Sequence, residues 1–177
     1  MLFTDRSIWT MVHGIVLGGA ALMGLSAALF SLCTARAADG PQVPAPNASR
    51  ALAALTVSTA VALWLAVLAG TYIIFPPYRA AAPAGTTDLT QFPRSLIQAS
   101  AQTAWLHSFA MESKEHMPWI ASMLATAVAF VTVRYRSRVL TDVSLRNMAA
   151  VLLAVCFALV SFVSLMGVFV NKVAPLQ

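Results

Sequence analysis

The sequence predicts an all-α integral membrane protein, a four-helix bundle with an interfacial amphipathic helix between its second and third membrane helices. Three observations predict it. Of 177 residues, 59% are apolar and only 10% are charged, against about 25% charged in an ordinary soluble domain. Four stretches are long and apolar enough to cross a hydrocarbon core of roughly 30 Å. The charges collect between these runs, so the net charge of +5 forms no soluble basic face and argues against a nucleic-acid partner. Lipid offers no hydrogen bonds to unpaired backbone groups, so apolar runs of this length are expected as helices even where β-branched residues such as Val128 and Val133 occur.

The first helix is expected over residues 8–35. Ala35-Arg36-Ala37 before Ala38 looks like a signal-peptidase site. The apolar run before it, however, is much longer than a signal-peptide core of about 7–15 residues, so the helix is read as retained. The connection 39–50 contains Pro41, Pro44 and Pro46 and is expected to be an irregular loop. Its Asn47-Ala48-Ser49 triplet matches a glycosylation sequon but is common by chance and carries no weight.

The second helix is expected over 51–75, stopped at Phe75-Pro76-Pro77-Tyr78-Arg79, where paired prolines end a helix and an aromatic beside a cation suits the headgroup level. A loop rich in Ala, Gly, Thr and Pro leads to Pro93, which opens the amphipathic helix over about 93–113. There Ile97, Ala101, Trp105 and Phe109 recur every fourth residue, while Arg94, Gln98, Gln102 and Lys114 fall mostly off that line. This helix is expected as a lid on the outer end, with Trp105 and Phe109 buried and Gln98 and Gln102 more exposed. The third helix is expected over 115–134, because Pro118–Val133 alone falls short of a span and must recruit Glu115, His116 and Met117. The fourth covers 148–170, and the whole chain, 1–177, reads as one transmembrane domain.

Arg134, Arg136, Arg138 and Arg146 crowd the third connection, which the positive-inside rule places in the cytoplasm with Arg36 and Arg50. Both termini and the second loop then face outward, in what reads as a prokaryotic inner membrane. Cys33 and Cys156 lie within apolar helices and are read as packing residues.

The three histidines, His13, His107 and His116, all fall toward one membrane face. An ionisable side chain inside a membrane segment is a functional-site hypothesis that needs a partner. His13 and His116, on different helices at similar depth, could ligate a haem b iron from opposite faces, with Gly14, Gly18, Gly70 and Gly167 admitting a flat macrocycle. The bland reading is that small residues let bare helices pack and a lone histidine hydrogen-bonds a neighbour. Glu112 stands four residues before His116, where it could orient that ligand or relay protons, for instance to a quinone. His107, one turn before Met111, is a weaker candidate ligand or relay group.

The sequence contains no Cys-x-x-Cys-His, phosphate-binding glycine loop, nucleophile elbow or His-Glu-x-x-His, and the helix middles are uncharged. Hydrolysis and transport therefore find no support. The function expected is a membrane-anchored, b-type cytochrome-like electron-transfer subunit of a prokaryotic respiratory-type complex, more accessory than catalytic, whose partners are other membrane subunits and lipid. A cofactor-free structural subunit of a larger assembly is the alternative. A lone metal site of His107, Glu112 and His116 ranks third.

Overall fold

The computed structural model describes residues 4–37 and 47–175, with only the backbone of Arg36 and Ala37. The three prolines of the first connection and Ala38 lie outside the described residues, while Ala35-Arg36-Ala37 continue the first helix. Within them the protein is all-helical, with no strand. Four helices are long and apolar enough to cross a membrane: α1, Asp5–Ala35; α2, Ala48–Arg79; α4, Leu106–Tyr135; and α6, Val143–Val173. Two short helices, α3 (Pro93–Gln98) and α5 (Ser137–Thr141), occupy connections. The long helices have 30 to 32 residues, about 45 Å at 1.5 Å per residue, enough to reach through the headgroup level on both sides.

Each long helix buries a stripe of mostly small residues at three- and four-residue steps. Ala21, Leu25, Ala28 and Leu32 of α1 meet Leu52, Ala60 and Leu63 of α2, Ala121, Ala125 and Val128 of α4, and Ala149, Leu153 and Cys156 of α6 in one core. The outward faces carry Met23, Phe30, Leu65, Phe130 and Leu165, all exposed. Lipid tails solvate such faces, so association rests on close packing and interhelical hydrogen bonds. The Thr56 and Thr132 hydroxyls share a buried hydrogen bond of 2.7 Å between α2 and α4. Trp64 Nε1 donates to Thr126 at 3.0 Å. Gly24 of α1 lies so close to Thr59 of α2 that a β-carbon there would overlap the threonine side chain.

At the arginine end, Asp142 caps α6 by accepting from the Ser144 and Leu145 amides at 2.9 and 3.1 Å. Arg136 adopts φ 41°, a left-handed conformation in which the chain turns from α4 into α5. Arg146, one of the four arginines of this connection, is only 2% exposed and donates through Nη1 to the Leu140 carbonyl at 3.0 Å.

The region between α2 and α4 differs from expectation. No continuous helix runs over 93–113: α3 ends at Gln98, and residues 99–104 form turns. The Thr103 hydroxyl donates to the Ile97 carbonyl at 2.7 Å, and Ser100 Oγ accepts from the Gln102 amide. Such local bonds compete with the helical ladder. The third long helix begins at Leu106, well before 115. The break also rotates the proposed stripe apart. Ile97 is fully buried, but Ala101 is exposed, Trp105 is 44% and Phe109 52% exposed. These two rings lie along α6 instead, edge-on to Phe169 and Phe162. Leu106, Ala110 and Met111 take the inward positions, in a second core with Tyr78, Ile97, Met166 and Val170.

Candidate functional site

Three of the long helices contain a π-helical turn near the same end of the molecule: Val12–Gly18 in α1, Gly70–Ile74 in α2 and Leu106–Met111 at the start of α4. A π turn holds one extra residue, and such turns recur at functional sites. In α1 the effect can be followed by counting. Seven residues back from buried Ala21, an uninterrupted α-helix would turn Gly14 toward the core. The extra residue passes that place to His13, which is half-buried while Gly14 is exposed.

At this histidine end the four long helices enclose a cavity of about 760 Å³. His13, Gly14 and Gly18 line it from α1, Gly70 and Tyr78 from α2, Lys114, Glu115 and His116 from α4, and Gly167 and Asn171 from α6. The histidine pair and all four glycines proposed from the sequence therefore border one space. His13 follows Asp5 by eight residues and His116 follows Leu106 by ten, about 12 and 15 Å from their helix starts.

The His13 ring packs on Gly70, where a β-carbon would come within 2.9 Å of its Cε1. The Ala66 carbonyl lies near the ring, on the side of one ring nitrogen. Buried Nδ1 has no partner among the described residues. Carbonyls only accept, so the neutral ring presents Nδ1 with a free lone pair. His116 uses its nitrogens the other way. Its Nδ1–H donates to the Glu112 carbonyl at 2.8 Å, which leaves Nε2 of the exposed ring as the acceptor nitrogen. Histidines that bind metals characteristically donate the second ring N–H to such a carbonyl.

Glu112 does not act as its sequence position suggested. Its side chain is exposed and does not line the cavity, and the group that orients His116 is its backbone oxygen, supplied by the helix itself. His107 lies behind the wall: its Nδ1 shares a 3.0 Å hydrogen bond with the hydroxyl of buried Tyr78, which does line the cavity. Among the described residues no three His, Cys, Asp or Glu side chains cluster as a metal site, so His107, Glu112 and His116 do not converge on one ion.

Lys114 is the residue that the sequence reading missed. It is half-buried and reaches across the cavity to α6, where a β-carbon on Gly167 would sit 3.1 Å from its Nζ. It is also near enough to His13 for its charge to act there. A signal existed: Met111, Lys114, Pro118, Ala121 and Ala125 follow the three-and-four spacing of the buried face of α4. Pro118, inside the helix, has no N–H to offer the Lys114 carbonyl, which opens the ladder beside the cavity. No protein-family model, curated protein or solved structure matches the chain.

Proposed function

We propose that this protein is a membrane-anchored electron-transfer subunit of the b-type cytochrome kind, a four-helix bundle holding one haem in the cavity at its histidine end. One observation carries the reading. Two imidazoles from different helices border a single space of about 760 Å³, and each has a nitrogen without a hydrogen-bond partner among the described residues, buried Nδ1 of His13 and Nε2 of exposed His116. That volume falls within the range of small-molecule and cofactor sites. Its walls are mainly apolar; Gly14 and Gly18 add no side chain to the α1 wall, while Gly70 and Gly167 make room for the His13 ring and the Lys114 tip.

In this reading His13 and His116 hold the iron, the Ala66 and Glu112 carbonyls fix the two tautomers, and the tyrosine at position 78, tied to His107, limits water at one wall. A haem iron with two imidazole ligands supplies reversible one-electron transfer, and the protein tunes it through ligand orientation and burial. Partner subunits and a quinone pool would exchange electrons with it. The arginine-bearing connection faces the cytoplasm of a prokaryotic cell, and both termini lie outside. Cysteine labelling at Ser95 and Ser144 from opposite sides of the membrane tests that orientation; labelling of both from one side refutes it.

The deciding experiment is a visible spectrum of the purified protein, oxidised and then reduced with dithionite. A sharp α band on reduction is expected, lost in His13→Ala and in His116→Ala but retained in His107→Ala. Absence of haem from wild-type protein isolated with its native partners overturns the reading.

A further inference from the structure

The cavity contains a charge that haem ligation leaves unexplained. Lys114 sends its ammonium into an apolar enclosure, and among the described residues it makes no hydrogen bond or ion pair. Glu115 is the one carboxylate among the described lining residues. It follows Lys114 directly and so projects about 100° away around α4. From the other helices the cavity is lined by His13 of α1, Tyr78 of α2 and Asn171 of α6, none of which brings a negative charge. Gly167 marks where the lysine tip passes, since a β-carbon there would sit 3.1 Å from Nζ, closer than ordinary contact.

A half-buried ammonium is costly unless something compensates it. A helix that needed only a wet lysine would place it on the outer face, as α6 does with exposed Lys172. The remaining polar side chains of the lining, Thr10, Thr71, Ser164 and His116, bring no negative charge either. The compensating charge therefore comes with the occupant.

We propose that the cavity recognises an acidic group, a carboxylate or a phosphate borne on an apolar body, and that the Lys114 ammonium is the cation that receives it. The inference deepens the haem reading, because the macrocycle carries propionate carboxylates, but it stands on Lys114 rather than on the histidines. An acidic lipid entering from the bilayer offers the same chemistry.

The test uses the full chain in neutral detergent, as wild type, Lys114→Met and Lys114→Arg. One arm titrates haem against its dimethyl ester, which lacks the free carboxylates. The other measures spin-labelled phosphatidylglycerol against phosphatidylcholine. Wild type should prefer the acidic member of at least one pair by about tenfold, the scale of one charge-assisted hydrogen bond. Lys114→Met should erase that preference, and Lys114→Arg should keep it. Preference for haem over its ester identifies the macrocycle as the acid's source. Preference for phosphatidylglycerol with no haem bound upholds the acid site while the cytochrome reading fails. No charge preference in wild type in either arm, or an undiminished one in Lys114→Met, overturns the proposal.

Discussion

The arginine end and the histidine end of the molecule are built from the same four helices, yet they solve opposite problems. Toward the arginine end the helices are regular, their small residues interlock, and the polar groups inside are matched to each other, as Thr56 is to Thr132 and Arg146 to the Leu140 carbonyl. Toward the histidine end the ladder loosens into π turns, a proline interrupts α4, and glycines face a cavity. In lipid, where burying apolar surface gives helices little reason to prefer one another, packing has to be specified by contact. The difference teaches that the tight half holds the assembly together and so permits the other half to stay open.

Two glycines put that comparison under the greatest load. Gly24→Ala places a methyl against Thr59 and should cost about 2–3 kcal/mol, the upper part of the usual cost of overpacking. Gly14→Ala meets nothing within 4 Å and should change stability by less than about 0.5 kcal/mol. Unfolding of both variants in mixed micelles measures the pair, and equal penalties would show that the two ends do not differ in the way described.

A smaller effect is expected at the hydroxyl pair. Thr132→Val removes the interhelical bond, but Thr56 keeps its bond to the Leu52 carbonyl at 3.0 Å, so no hydroxyl is stranded. The loss should be about 0.6 kcal/mol, the average for such bonds inside membranes. A loss above about 2 kcal/mol would mean that this one bond, rather than the distributed packing, organises the tight half.

Hydropathy makes the four spans legible because lipid selects apolar runs whatever the tertiary detail. That His13 and His116 fall toward one end of the bundle, where both line the cavity, is legible as well, since helix count alone assigns both to one face. What escapes is whatever depends on a local choice between competing hydrogen bonds. Nothing in the spacing of Ile97, Ala101, Trp105 and Phe109 reveals that Thr103 will bond back to Ile97 and break the helix. The early start of α4 is hidden by His107, Glu112, Lys114 and Glu115, which depress the apolar average although the backbone remains helical through them. Lys114 was passed over for that reason, despite its place on the inward stripe.

The smallest expected effect belongs to the loop outside both ends. Asp88 accepts from the Thr90 amide and hydroxyl at 3.0 and 2.8 Å, and these bonds hold its carboxyl below the usual value. Since the folded value is lowered, the turn gains order above the ordinary carboxylate range and loses it as pH falls through the lowered value. The carboxylate is fully exposed, so the effect is local. The Thr90 amide resonance should shift as the pH is lowered from about 6 toward about 2, and Asp88→Asn should remove the shift without altering the spectrum of any cofactor. A matching loss of global stability would tie this loop to the core, contrary to the comparison.

The π turn of α1 also makes the helix a record of two incompatible countings. From Gly19 onward its residues keep step with the neighbours they grip, while before Val12 the helix is one residue out of phase with that grip. Deleting a single residue within Val12–Gly18 would restore one phase throughout, leave the apolar length of the span almost unchanged, and swing His13 out of the cavity by roughly a quarter turn. The position of the imidazole is thus governed by arithmetic along the chain, so an indel far smaller than a helical turn could separate the packing of the bundle from the lining of its cavity.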